Sequence, residues 1–247
     1  MIVENIVIKS KNLREDFEIK KYGHSGKGVI VFPCSQGRFF DYENFGMIEI
    51  LKPYILSAEI CLFTVDGRDS HSWFHQNKDS QMGINHRNYE LCITEEVIPL
   101  LRKKFDIKNK FCTTGNSWGG FHSMNFLLKF PEIFDCAISL SGVYSLSSLL
   151  GNYFDQNVYY NDVLKYFPNL NDGKILEQLR KSFVILSYGK GLWEDHKHEC
   201  DEVVKLLHEK EIPYLFDPWG PEWNHDWPTW KAQIVKYFDV LREKKII

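Results

Sequence analysis

Long apolar runs are missing from this chain of 247 residues. None approaches the length, about 18 residues, that a membrane-spanning helix requires, so no membrane span is expected. The stretch Met1 to Ile6 has no basic segment followed by an apolar core, so no secretory signal is expected. Charge of one sign is not in excess. The formal net charge is -3 with 26% charged residues, and the triplet Arg102-Lys103-Lys104 reads as a solvated helix end. A nucleic-acid partner is therefore not expected. Cys-x-x-Cys pairs are also lacking. Of Cys34, Cys61, Cys92, Cys112, Cys136 and Cys200, the middle four sit inside apolar runs, where a free thiol behaves as a small hydrophobe. That usage points to a reducing, cytoplasmic setting. Metal-ligand spacing is absent too. His71, His75 and His86 share a polar loop with Trp73 but have no Cys or carboxylate partners at ligand distance in sequence, so neither a metal nor any other cofactor is expected.

Repeats and low-complexity linkers are missing as well, so nothing divides the chain. A length of 247 residues at 44% hydrophobic suffices for one full core, and a single domain over residues 1–247 is expected. Apolar strand-like runs recur: Ile2–Ile8, Phe17–Lys21, Gly28–Phe32, Ile60–Val65, Lys110–Thr114, Cys136–Leu140, Phe183–Tyr188 and Tyr214–Asp217. Between them lie helical patterns at Phe45–Leu56, Tyr89–Lys104 with Pro99 kinking it, Phe121–Phe130, and His196–Lys210, with a last one beginning at Trp227. Strands alternating with helices predict an α/β three-layer sandwich around a mostly parallel sheet. The first strands are separated by turns, which predicts antiparallel pairing there. Residues 143–180 are irregular and long enough to form a cap insertion.

The most informative stretch is Gly115-Asn116-Ser117-Trp118-Gly119, a G-x-S-x-G pattern between a predicted strand and a predicted helix. A serine on such a turn is pushed out of the sheet, and the flanking glycines let strand and helix approach closely. The pattern is short, so its weight comes from context. A serine hydroxyl needs a base within reach, and the base needs an orienting carboxylate. His225, between the last strand and the last helix, is the expected base. The acid is expected just past Phe183–Tyr188, where Glu194 and Asp195 compete. Glu194 is preferred, because Asp195 can then cap the helix starting near His196. Asp217 ends the next strand, and Asp226 is too close to His225 in sequence. The oxyanion donors are expected at the amide of Trp118 and at that of Ser35 or Gln36, in the loop after Gly28–Phe32. The segment His196-Lys197-His198 reads as solvated, and Arg38 as an exposed loop residue that could hold an anionic group. Trp73, Trp118, Trp193, Trp219, Trp223 and Trp227 flank elements near this site, and most are expected to serve packing.

The motif Gly115-Asn116-Ser117-Trp118-Gly119-Gly120-Phe121-His122, the downstream Phe130-Pro131-Glu132-x-Phe134, and the terminal His225-Asp226-Trp227-x-x-Trp230 resemble an esterase family of α/β-hydrolases. That family includes feruloyl esterases, S-formylglutathione hydrolases, enterochelin esterases and mycolyltransferases. The resemblance runs from about Gly28 to the end of the sequence. It implies the α/β-hydrolase fold, Ser117 as nucleophile, His225 as base and a carboxylate in the Glu194/Asp195 loop, with the Trp193-Glu194 pair most like the family's acid position. It does not fix a substrate. The resulting expectation is a serine hydrolase acting on a small-molecule carboxylic ester. An acyltransferase on the same triad and a noncatalytic binding protein on the same fold are the alternatives.

Overall fold

The computed structural model of the protein describes residues 1–247. Eight strands form one sheet: β1 (Val3–Ser10), β2 (Glu15–Tyr22), β3 (Lys27–Phe32), β4 (Ile60–Val65), β5 (Phe111–Asn116), β6 (Phe134–Leu140), β7 (Phe183–Ser187) and β8 (Tyr214–Phe216). Their order across the sheet is β1-β2-β4-β3-β5-β6-β7-β8. The β1–β2 and β2–β4 pairs are antiparallel, and every other pair is parallel. Strand β1 is an edge and alternates buried with exposed residues, leaving Val3 and Val7 in solvent. Strands β4, β5 and β7 are buried at every position, as strands covered on both faces must be.

The two faces divide the apolar residues with period two. Ile30, Phe32, Phe63 and Val65 join one core layer, and Val29, Val31, Ile60 and Leu62 join the other. Helices α1 (Met47–Leu56) and α6 (Trp227–Glu243) cover the second layer through Leu51, Ile55, Ile234, Phe238 and Leu241. Helices α2 (Ser80–Leu91), α3 (Ile98–Phe105), α4 (Trp118–Lys129) and α5 (Lys197–Glu209) cover the first, through Tyr89, Leu101, Leu127 and Val203 among others. No helix is long and apolar enough to cross a membrane.

Three local expectations need correction. The helix expected over Phe45–Leu56 is broken at Gly46, whose φ of 80° ends a short turn before α1 begins. The helix expected over Tyr89–Lys104 starts earlier, at Ser80, with Asp79 accepting the Gln81 amide as its cap. A wide π-turn over Cys92–Val97 precedes Pro99, which stands in the first turn of α3. His86 consequently belongs to a buried helix face and not to a loop.

The chain reverses its direction of travel across the sheet at β3, which lies between β4 and β5. Loops leaving the carboxyl ends of strands on either side of such a reversal diverge and leave a crevice. The loops after β3, β5, β6, β7 and β8 carry Ser35, Ser117, Ser141, Glu194 and His225 respectively.

Candidate active site

Ser117 occupies the turn between β5 and α4 with φ 55° and ψ -118°, a backbone region that non-glycine residues seldom adopt. The strained turn is over-determined. Its amide donates to the Leu140 carbonyl at 2.8 Å, and its carbonyl accepts from Gly120 at 2.9 Å. Gly119 makes the geometry feasible, since a Cβ there would stand 2.4 Å from the Phe32 carbonyl oxygen. Trp118 is the first residue of α4, and its amide has no partner within the fold. Its free N–H sits at the positive end of the helix dipole.

Strand β3 pairs with β5 in register, Phe32 opposite Gly115, so the loop after β3 lies beside Ser117. In that loop the two sequence candidates for the second oxyanion donor differ. The Gln36 amide is engaged, donating to Asp69 Oδ2 at 3.2 Å. The Ser35 amide has no partner, and Ser35 lines the same cavity as Ser117. Cys34, next to them, is no nucleophile. Burial, with Asp41 and Asp69 nearby, pushes its thiol up to about 12.

Glu194 follows β7 and is 5% exposed. Its Oε1 accepts from Ser141 Oγ at 2.6 Å and from the Gly189 amide at 3.0 Å. Its Oε2 faces His225 Nδ1 at 3.3 Å. Ser141 Oγ in turn accepts from Trp230 Nε1 at 3.0 Å, and the Trp230 ring stands edge-on to the imidazole, centroids 5.1 Å apart. The His225 ring is thus oriented on one side by a fixed carboxylate and on another by an indole. Ser117 and His225 line one cavity of about 300 Å³, and no hydrogen bond joins them directly. Such contacts commonly tighten only once substrate is bound.

Phe74, Trp118, Val143 and Leu149 supply the apolar wall of the cavity, and Ser35, Ser148, Asp195 and His196 its polar one. Trp193, 67% exposed and with φ 63°, stands at this wall too. Asp195 does not cap a helix. The α5 cap position is His196, with no side-chain cap bond, and Asp195 faces the cavity instead. His196 is not simply solvated either. Its Nδ1 lies 2.8 Å from Glu199 Oε1, and that bond raises its pKa. Arg38 is paired with two carboxylates, its Nε donating to Asp66 Oδ1 at 2.7 Å and its Nη2 to Glu18 at 3.3 Å, and it does not line the cavity. Trp219 and Trp223 pack edge to face on each other and do not line the cavity. Sequence reasoning missed Ser141 and Asp69. Ser141 had a visible signal, since it immediately follows an apolar strand, as residues of this crevice do. No group of three or more His, Cys, Asp or Glu that could hold a metal ion is present.

The "Putative esterase" family model matches residues 42–237, a span that includes Ser117, Glu194 and His225. The chain belongs to this esterase family. Membership puts it among the carboxylic-ester hydrolases. The fold is also that of solved structures. A ferulic acid esterase is 15% identical, with 95% of each chain covered and a TM-score of 0.76. FphF, a fluorophosphonate-binding serine hydrolase of Staphylococcus aureus, is 14% identical, with 97% of this chain and 98% of that one covered and a TM-score of 0.72. The S-formylglutathione hydrolase FrmB of the same organism is 15% identical, covering 98% of this chain and 99% of that one, with a TM-score of 0.67. These likenesses establish the α/β-hydrolase fold for this esterase. No curated protein matches the chain.

Proposed function

We propose that this esterase cleaves its substrate through an acyl-enzyme on Ser117, with His225 as base and Glu194 as the acid that orients it. The observation that carries the reading is the Glu194–His225 contact at 3.3 Å opening on the cavity that holds Ser117. His225 Nδ1 donates to Glu194, which leaves Nε2 as the acceptor for the serine proton. Ser117 Oγ attacks the ester carbonyl. The oxyanion that forms is received by the amides of Trp118 and Ser35, both without another partner. The imidazolium then protonates the leaving alcohol, and water, activated by the same histidine, releases the acid. Asp195 is the weaker acid candidate, because the carboxylate bonded to His225 is that of Glu194.

The substrate on this reading is a small-molecule ester whose apolar part meets Phe74, Trp118, Val143 and Leu149. Residues 143–180, with Val143, Ser148 and Leu149 on the cavity, act as a cap that shapes it. The test is Ser117→Ala assayed with p-nitrophenyl acetate and with a fluorophosphonate probe. Turnover is expected to fall by roughly three orders of magnitude or more, with no adduct formed. Full turnover by Ser117→Ala would mean that another group is the nucleophile.

A further inference from the structure

We infer that Asp69, braced by His122, is a positioning residue that holds the loop after β3 in the shape that aims the Ser35 amide at the oxyanion. The inference rests on the reading of Ser117 as nucleophile and of Ser35 and Trp118 as oxyanion donors. Neither Asp69 nor His122 can exchange protons with substrate, being 2% and 1% exposed and absent from the cavity wall.

The loop needs such a brace. Gln36 has φ 54°, the left-handed region that a residue with a Cβ adopts only when its surroundings impose it. Two bonds hold it there: the Gly37 amide donates to the Cys34 carbonyl at 2.9 Å, closing a turn with Gln36 in third place, and the Gln36 amide donates to Asp69 Oδ2 at 3.2 Å. If the Asp69 acceptor is removed, only the turn bond holds Gln36 at positive φ, and it can relax to negative φ. The peptide joining Ser35 to Gln36 then rotates, and the neighbouring Ser35 amide swings with it.

Asp69 is itself fixed. Its Oδ1 lies 3.0 Å from His122 Nε2, and His122 Nδ1 has no partner, so the ring proton sits on Nε2 and is donated to the carboxylate. The imidazole has no room to turn. Phe32 lies against it with centroids 5.5 Å apart, Tyr89 at 5.5 Å, and His86 stacks nearly parallel at 5.7 Å. His122 belongs to α4, the helix that Ser117 opens. The chain of contacts therefore runs from the nucleophile's helix through His122 and Asp69 to Gln36, tying the two oxyanion donors to one rigid frame. The main chain of Asp69 extends the same control to the cavity wall. Its carbonyl accepts the Phe74 amide at 2.9 Å, and the Phe74 ring packs edge-on against Trp118.

An oxyanion donor acts on the transition state and much less on the bound ester, so a displaced loop lowers kcat and spares KM. The experiment compares Asp69→Ala, Asp69→Asn and His122→Phe with wild type on a neutral alkyl ester. A trifluoromethyl ketone, which binds as an oxyanion adduct, is titrated alongside. Asp69→Ala is expected to lose about 10- to 100-fold in kcat with KM changed less than about threefold, and to bind the ketone weaker by the same factor as kcat/KM falls. Asp69→Asn keeps an acceptor for the Gln36 amide, since His122 can move its proton to Nδ1 and accept from the new amide. It is expected to recover most of the loss. His122→Phe keeps a planar ring but removes the donor to Asp69, so it is expected to lose kcat in the same direction, and it serves if the alanine variant does not fold. A folded Asp69→Ala or His122→Phe with wild-type kcat and ketone affinity overturns the inference. So does a loss confined to KM or thermal stability. Ser117→Ala, run in parallel, separates the two levels. If it turns over normally, the underlying nucleophile reading fails. If it is inert while Asp69→Ala is unimpaired, only the positioning role fails.

Discussion

Glu194 shows how much of this site depends on groups that never touch substrate. A buried carboxylate is tolerable only when its lone pairs are met, and Ser141 and Gly189 meet those of Oε1. Ser141→Ala removes one of these bonds and leaves the Trp230 indole N–H without an acceptor in a buried position. We expect about 1–3 kcal/mol of destabilisation, read as a lower denaturant midpoint at unchanged slope. Glu194→Gln is expected to lower kcat by roughly 10³–10⁴-fold at little cost to binding, because the imidazole loses the partner that fixes its tautomer. The second histidine–glutamate pair, His196–Glu199, makes a prediction about pH. The bond to Glu199 raises the His196 pKa from its ordinary 6.5, so its stabilisation is complete below that value and is lost as pH rises through the folded-state pKa. Burial pushes Glu199 up, but the bonds from His196 and from the Tyr144 and Ser145 amides outweigh it and hold its pKa below 4.5. Its contribution is therefore present above 4.5 and fades as pH falls. The pair stabilises most between about pH 4.5 and 6.5. The difference in unfolding midpoint between wild type and His196→Ala should be largest in that window and shrink toward pH 8. Partial exposure of His196 keeps the effect small. A difference that grows with pH would contradict the pairing.

At the scale of elements, the packing of α4 on β3 is the tightest constraint. The helix passes so close to the strand that position 119 has no room for a methyl group. Gly119→Ala should destabilise by about 1–3 kcal/mol, or lower the melting temperature by roughly 2–12 °C for a chain of this size, as the helix is levered away from Phe32. Esterase activity should fall further than stability does, since the same shift moves the Trp118 amide. A variant with normal melting and normal activity would show that the helix has slack here. This element was legible before any coordinates because its two glycines and serine encode a local event, a strand turning into a helix. The β3, β4 and β7 runs were legible for a similar reason, being unbroken apolar stretches. Less local features were not. The π-turn before Pro99 leaves no mark in the periodicity by which helices are read. The start of that helix at Ser80 was hidden because its first two turns, Ser80–Arg87, are largely polar and bury only Met82, Gly83 and His86.

The arrangement of the whole molecule explains which parts of the site could be read from the chain alone. Ser117, Glu194 and His225 lie in the loops after β5, β7 and β8 in the expected order, so their convergence follows once parallel strands place those loops on one edge. Asp69, His122 and Ser141 meet their partners only through the sheet order, with β3 set between β4 and β5 and β6 beside them. No spacing in the sequence announces such meetings. The six cysteines allow the integrity of this arrangement to be measured as a unit. Cys61, Cys92 and Cys200 lie in one core layer and Cys112 and Cys136 in the other, so no single layer can loosen unnoticed. Burial holds the thiols of Cys61 and Cys92 at about 11 and about 12, and Cys34 at about 12 even beside the cavity. At pH 8 a thiol of pKa 12 is ionised to about one part in 10⁴, and the thiolate is the reactive form. The folded protein should therefore release almost no colour with a disulfide reagent at pH 8 in the minutes during which the unfolded chain reports all six thiols. Iodoacetamide should leave esterase activity intact. The slow rate that remains should follow global unfolding and slow further with any ligand that fills the cavity. A single thiol that reacts at once, with loss of activity, would locate an opening near Cys34 and show that the loop after β3 is looser than its bonds to Asp69 and Asp41 imply.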